Sequence, residues 1–146
     1  MRYWLLLLAA CAPADAQRDP GWELRVSERI EVAAGATAPL SIAIAVDRGL
    51  TVSKDAAVIV DLAPDDGATI KKRRLGRADA VDPDADAPHF TVQVRGELVG
   101  DHAVTVHVRF WLCGTRSCRP IDAKKTAQIA VTASEPPDAG IDAGHR

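Results

Sequence analysis

The chain has 146 residues, with 18 basic and 20 acidic side chains and a formal net charge of −2. One domain of ordinary size fits this length. The charge balance excludes the basic footprint that broad nucleic-acid binding requires. Aromatic residues make up only 4% of the chain, which also disfavours stacking platforms for bases. We therefore expect no nucleic-acid partner.

The first residues have the order of an export signal. Arg2 supplies a positive charge, and an apolar run (YWLLLLAA) follows it, too short to span a bilayer. The residues Leu8-Ala9-Ala10-Cys11 resemble the lipobox of bacterial lipoproteins, in which the cysteine becomes the first mature residue and carries lipid. Ala14-Asp15-Ala16 offers a competing cleavage site that would release a soluble protein. We predict a signal peptide over residues 1–10, lipidation of Cys11 and a location on the periplasmic face of the cell envelope.

Composition divides the remaining chain into three parts. Residues 11–21 are rich in Ala, Asp and Pro and are predicted to be a tether. Residues 22–133 carry the apolar pattern of a folded body. Residues 134–146 repeat Asp-Ala-Gly without any apolar pattern, which predicts a disordered tail.

Apolar and polar residues alternate with period two through the body. The apolar sets are Trp22, Leu24, Val26; Leu40, Ile42, Ile44; Phe90, Val92, Val94; and Val104, Val106, Val108, Phe110, Leu112. Turn residues separate these runs, and no window of ten or more residues shows a convincing helical period. Short strands at this spacing predict an all-β, antiparallel sandwich of about seven strands.

A hairpin is predicted around Cys113 and Cys118, because four loop residues between two strands make an ordinary connection. If the two cysteines face each other, the register follows for the whole hairpin. Arg109 then lies opposite Asp122 and forms a favourable cross-strand charge pair. Lys125 falls on the apolar face of this register, so we expect a bulge or an edge position there.

The same register brings the two cysteines within disulfide distance. The chain has three cysteines, and lipidation of Cys11 would leave this even pair in an oxidising compartment. Such a small ring contributes about 2 kcal/mol in the chain-entropy model. Arg116 and Arg119 lie close in sequence and would favour a thiolate. A structural staple and a redox pair both remain open, whereas a metal site is disfavoured because no second Cys/His pair has zinc spacing.

One stretch of the body has a family resemblance. It runs from Phe90 to Pro120 and includes Gly96, Val104, Val106, Cys113 and Cys118. This pattern resembles the N-terminal domain of the thiol:disulfide interchange protein DsbD, and also the small β domain that follows NHL propellers in some thioredoxin-fused proteins. The resemblance implies an immunoglobulin-like fold. It also implies that Cys113 and Cys118 are the counterparts of a pair that passes electrons to periplasmic partners.

Two functions follow as hypotheses. The first is thiol–disulfide exchange with a thioredoxin-like periplasmic protein, through a mixed disulfide at Cys113 or Cys118. The second is a non-catalytic binding or assembly module of the cell envelope, in which the disulfide only staples the hairpin. The chain carries no hydrolase, kinase or Cys-x-x-Cys signature, so we expect at most a redox partner rather than an enzyme. We expect no cofactor and no metal.

Other charged clusters are interpreted as solvated surface. Residues 71–74 with Arg77 form a basic cluster beside an acidic loop. The spacing Asp82-x-Asp84-x-Asp86 begins like a calcium loop, but the Gly and Glu that an EF-hand requires later are missing. His102 and His107 are predicted to be surface histidines.

Overall fold

The computed structural model describes residues 21–134. The predicted signal peptide, the lipidation site at Cys11 and the tail beyond Ser134 lie outside the described residues.

The described chain forms ten strands and one short 3₁₀ helix, Arg77–Asp79. The strands are β1 (Trp22–Val26), β2 (Arg29–Ala33), β3 (Thr37–Val46), β4 (Thr51–Val52), β5 (Ile59–Pro64), β6 (Ala68–Thr69), β7 (Arg74–Leu75), β8 (His89–Gly96), β9 (Gly100–Cys113) and β10 (Cys118–Thr132). No α-helix occurs in this part of the chain. The prediction of an all-β protein is confirmed.

The strands pair into two sheets with immunoglobulin-like order. One sheet has the order β1-β3-β8-β6, and the other has the order β2-β10-β9-β5-β7, with β4 also paired to β9. These orders match the A-B-E-D and G-F-C sheets of an immunoglobulin sandwich. The predicted immunoglobulin-like β-sandwich is therefore confirmed. Three two-residue strands, β4, β6 and β7, raise the count above the predicted number.

The first strand region is shared between the two sheets. β1 pairs antiparallel with β3, and the chain then crosses to the other sheet, where β2 pairs in parallel with β10. The antiparallel pairing of the predicted sandwich is found in every other strand pair of the described chain, and the β2–β10 pair is the parallel exception. Period-two alternation did not reveal this switch, because it is the same for a parallel and an antiparallel neighbour.

The core lies between the sheets and consists of apolar side chains. Its largest fully buried members include Phe90, Phe110, Leu40, Ile42, Ile44 and Ile129. Trp22 packs edge-on against Phe110, with ring centroids 5.8 Å apart. No polar or charged residue among the described residues is buried. Burial of apolar surface, and not of charge networks, therefore stabilises this fold.

Gly96 of β8 lies close against side chains of the opposite sheet. A Cβ at this position would lie 2.9 Å from Val131 and 3.0 Å from Val32. The Gly96 carbonyl accepts a hydrogen bond of 2.8 Å from the N–H of Gly35. The close approach requires a residue without a side chain.

β10 leaves much of one edge open. In the described chain it pairs with β2 only from Gln128 to Thr132, so residues 118–127 have no strand on the side away from β9. Lys125 lies on this stretch, opposite the fully buried Val106. Its ammonium crosses to the other sheet and donates a 3.1 Å hydrogen bond to the Leu24 carbonyl. Of the two predicted solutions for Lys125, the structure has the edge position, since the β9–β10 register is unbroken around it.

Candidate functional site

The predicted cysteine hairpin is present. Cys113 and Cys118 are joined by a disulfide, with their Cα atoms 4.0 Å apart. The β9–β10 register continues without a break from this pair to Gly100 and Val131. The predicted register, with Trp111 opposite Pro120, is confirmed.

The disulfide lies on the outer face of the larger sheet. Cys113 is half-buried and Cys118 is exposed. On the other side of Cys113, Thr51 of β4 is its strand partner. The Thr51 hydroxyl in turn donates a 3.2 Å hydrogen bond to the Asp86 carboxylate. One sulfur therefore belongs to an interior strand, and the other belongs to the open edge of β10.

The loop between the cysteines is closed by its own backbone. The N–H of Gly114 donates a 2.9 Å hydrogen bond to the Ser117 carbonyl. Arg116 and Arg119, the two predicted neighbours of the pair, line a hollow at this tip together with Leu50. The hairpin tip that carries the disulfide therefore also carries two arginines, and cationic neighbours of this kind can lower the pKa of a thiol.

Arg109 and Asp122 lie opposite each other, as the register predicts. The predicted ion pair between them is wrong, because each side chain has a different partner. Arg109 donates instead to Asp61 on β5, at 3.0 Å. Asp122 lies 2.7 Å from the Nε2 atom of His107. The hairpin alone suggested one pair, but the neighbouring strand β5 supplies a second acceptor for the arginine.

Asp61 is the centre of this outer-face charge network. Arg74 donates to its carboxylate from Nε at 2.7 Å and from Nη2 at 3.3 Å. The hydrogen bond from Arg74, together with that from Arg109, lowers the pKa of Asp61 from its ordinary value against the opposing effect of desolvation. The network joins β7, β5 and β9 and has no free nucleophile or base.

Next to the network, Trp111 presents an apolar surface to solvent. The side chain is 43% exposed and lines a shallow hollow with Ile59, Pro120 and Arg109. Exposed aromatic rings of this kind are enriched at protein interfaces.

Arg77, which was assigned to a solvated cluster, has a structural role. Its guanidinium donates to four backbone carbonyls, those of Val52, Ser53, Pro83 and Ala85, at 2.9–3.0 Å. Its Nε atom is buried and has no hydrogen-bond partner among the described residues. Arg77 thus ties the acidic loop to the end of β4. No signal in the sequence distinguishes it from its basic neighbours.

His102, which was predicted to be a surface residue, is largely covered. Its side chain is 18% exposed, and Nδ1 lies 3.1 Å from the Asp65 carboxylate. Nε2 lies 2.8 Å from the Leu98 carbonyl. A Cβ at Gly67 would overlap the imidazole ring, so this glycine makes room for the histidine. His102 therefore links the β8–β9 turn, through Leu98, to the loop after β5, through Asp65.

The described residues show no site for metal chemistry. Within residues 21–134, no three side chains of His, Cys, Asp or Glu form a group that could hold a metal ion. In the same range, no helix is long and apolar enough to cross a membrane. The oxygen atoms of the acidic loop are used locally, since the Asp82 carboxylate accepts from the N–H of Asp84 at 3.0 Å.

Comparison with known proteins gives similarity at the level of solved structures. No family model and no curated protein matches the chain. The chain is similar to the S-layer protein SbsC, domains 4 and 5, with 18% identity and a TM-score of 0.48 over 76% of this chain and 51% of that one. It spans about half the length of that structure. It is also similar to AggA, the major subunit of aggregative adherence fimbriae type I from Escherichia coli, with 10% identity and a TM-score of 0.38 over 76% of this chain and 95% of that one.

Proposed function

We propose that this protein is a non-catalytic binding or assembly module of the bacterial cell envelope. In this proposal the disulfide between Cys113 and Cys118 is a staple. The observation that carries it is the position of the bond, at the loop end of the β9–β10 ladder, the longest among the described residues.

A cross-link at that end has a clear structural value. Slippage of β10 by one residue would turn Ile121 and Ala127 from the core to solvent. Both side chains are buried in the present register. Residues 118–127 of β10 have only β9 as a neighbouring strand in the described chain, so no second strand holds this register. The disulfide adds a covalent constraint to the one that the short loop between the cysteines already provides.

The outer face of the larger sheet favours binding over catalysis. Catalytic groups tend to have strongly perturbed environments in a cleft, whereas the charged groups on this face form ion pairs that solvent reaches. The exposed ring of Trp111 lies beside them. An apolar anchor next to charged residues is typical of an interaction surface.

Export and anchoring are part of the proposal. A disulfide persists in oxidising compartments, and residues 8–11 have the pattern of a lipobox. We expect acylated Cys11 to attach the protein to the membrane, since stable anchoring takes two or more chains. Mass spectrometry of the mature N-terminus tests this: a lipid on Cys11 supports it, and an unmodified N-terminus at Gln17 would refute it. The Cys11→Ser variant should lose membrane association.

A second candidate function is thiol–disulfide exchange with a thioredoxin-like periplasmic protein, as the resemblance to the DsbD domain implies. One observation favours it: Cys118 is exposed, at a hairpin tip where Arg116 and Arg119 line a hollow. In that chemistry a partner thiolate attacks one sulfur, and the other sulfur leaves as a thiolate.

Trapping of the mixed disulfide separates the two functions. The Cys118→Ser and Cys113→Ser variants each leave one thiol in the hairpin, which would hold an exchange partner in a covalent complex. We expect no such complex after incubation with a periplasmic thioredoxin-like protein that has an oxidised active site. A covalent complex formed by a single variant and not by the double variant would refute the structural staple and support thiol–disulfide exchange as the function.

A further inference from the structure

β8 has an open edge in the middle of its length. β6 pairs with β8 only at Arg95 and Gly96 among the described residues. The N–H of Gly96 donates to the Ala36 carbonyl beside β3 at 3.1 Å. Backbone groups of an antiparallel strand alternate between its two neighbours. The N–H and C=O groups of Thr91 and Gln93 therefore point away from β3, where the described chain provides no strand.

A cleft borders this edge. After Thr69 the chain leaves the sheet and crosses to β7 in the other sheet. The cleft left by this crossing is lined at its base by Ile70, Leu75 and Val92, all of which are buried. An extended segment placed beside β8 would meet backbone hydrogen-bonding groups along one side and apolar side chains below.

The rim of the cleft carries an excess of positive charge. Lys71, Lys72 and Arg95 line it. Lys72 lies 2.6 Å from Asp79, and Arg95 lies 3.1 Å from Glu97. Lys71 has no ion-pair partner among the described residues. The rim is therefore complementary to a ligand that carries negative charge.

We propose that the edge of β8 binds an extended acidic segment of a partner protein by strand addition. The backbone groups of Thr91 and Gln93 supply the hydrogen bonds, and alternate side chains of the segment point to the cleft base and to the cationic rim. This inference rests on the proposed binding function and names the chemistry of the partner. Main-chain bonds supply affinity in this mode, and the side-chain contacts supply specificity.

Peptide binding tests the charge preference. The probes are a fluorescent peptide of about eight residues that alternates Val and Glu, and the same peptide with Lys in place of Glu. We expect the acidic peptide to bind the oxidised full chain at least about tenfold more tightly, and more weakly at high salt. Equal binding of both peptides, or binding of neither at about 1 mM, would overturn the proposal.

Charge reversal tests the location. Lys71→Glu should weaken binding of the acidic peptide about tenfold. The matched control is Lys124→Glu, an exposed lysine on the outer face of β10 that should leave binding within about twofold. Equal losses of peptide affinity in the two variants would contradict the proposal, because they would mean that the peptide binds elsewhere or responds only to net charge.

Amide hydrogen exchange tests the strand addition itself. The bound acidic peptide should slow exchange at the Thr91 and Gln93 amides, because those N–H groups acquire acceptors. Unchanged exchange at both amides in the presence of saturating peptide would contradict the proposal. This failure is distinguishable from failure of the proposed function, which depends on the mixed-disulfide test and not on the β8 edge.

Discussion

The open edge of β10 carries a proline and an inward-pointing lysine, whereas the open edge of β8 at Thr91 and Gln93 carries neither. Pro120 has no N–H to offer a neighbouring strand, and Lys125 places a charge on the face that an added strand would need for apolar contact. Such residues prevent edge-to-edge association in natural sheets. On β8 the neighbouring charges lie on the rim of a cleft instead. The comparison indicates one edge that stays unpaired and one edge that can accept a strand.

The two edges also differ in what holds them in place: a covalent bond at β10 and non-covalent contacts at β8. Cys118 begins the β10 edge and fixes it to Cys113. β8 is instead positioned by non-covalent contacts, which include the loop that Arg77 holds before the strand begins.

Arg77→Ala should produce the largest loss of stability, about 3 kcal/mol, because four backbone carbonyls, three of them in part-buried hydrogen bonds, would lose a charged donor. Its effect should appear first as faster exchange in the loop before β8, with β10 unaffected. Urea unfolding provides the measurement, and Arg73→Ala provides the control, since Arg73 is an exposed neighbour. Equal losses of stability in the two variants would show that the hydrogen bonds of Arg77 do not hold the loop before β8.

Reduction of the disulfide should cost about 2 kcal/mol, the chain-entropy value for so small a ring. The loss should be the same in the double variant Cys113→Ser, Cys118→Ser, and both forms should still unfold cooperatively. Denaturant midpoints with and without reductant measure it. A negligible change in both forms would mean that the bond does not constrain the hairpin.

Lys125→Val should make the β10 edge associate. Removal of the inward charge extends the apolar row beside Val106, so self-association should begin at about a tenfold lower protein concentration. Light scattering measures this. Lys124→Val alters a lysine on the outer face of the same edge and should stay close to the parent protein. Identical behaviour of the two variants would show that net charge, and not the inward position, protects the edge.

The smallest effect concerns pH at the link between the β8–β9 turn and the loop after β5. The pKa of Asp65 is lowered, first by the hydrogen bond from the Gly67 N–H and then by those from Ala103 and His102, against desolvation. A lowered pKa stabilises the fold above the unfolded value of about 3.9, and this contribution is lost as the pH falls through the folded pKa. Asp65→Asn should therefore destabilise the protein at neutral pH and matter progressively less below about pH 4. A constant difference in urea midpoint across this range would contradict the assignment.

Sequence reasoning succeeded where one strand pair carries the information. The β9–β10 register and the disulfide follow from period-two alternation and a short loop, because both partners lie in one hairpin. The partners of Arg109 and His102 lie on separate strands and loops. No local pattern indicates which acceptor such a side chain will reach.

The two-residue strands and the open edge of β8 were also beyond sequence reasoning, whereas Lys125 opposite Val106 had indicated a bulge or an edge on β10. β6 pairs with just Arg95 and Gly96 of β8 in the described chain, and its short length creates the cleft. A strand of two residues has no detectable alternation. An edge is a property of the whole sheet, since it depends on which neighbour is missing.

The reduction potential of the Cys113–Cys118 pair tests the central claim most directly. It can be measured on the full chain by equilibration against glutathione or dithiothreitol buffers, followed by alkylation of free thiols. A structural staple predicts a potential below about −300 mV. A value above about −250 mV, in the range of exchange-active pairs, would contradict the staple and make thiol–disulfide exchange the function of this hairpin.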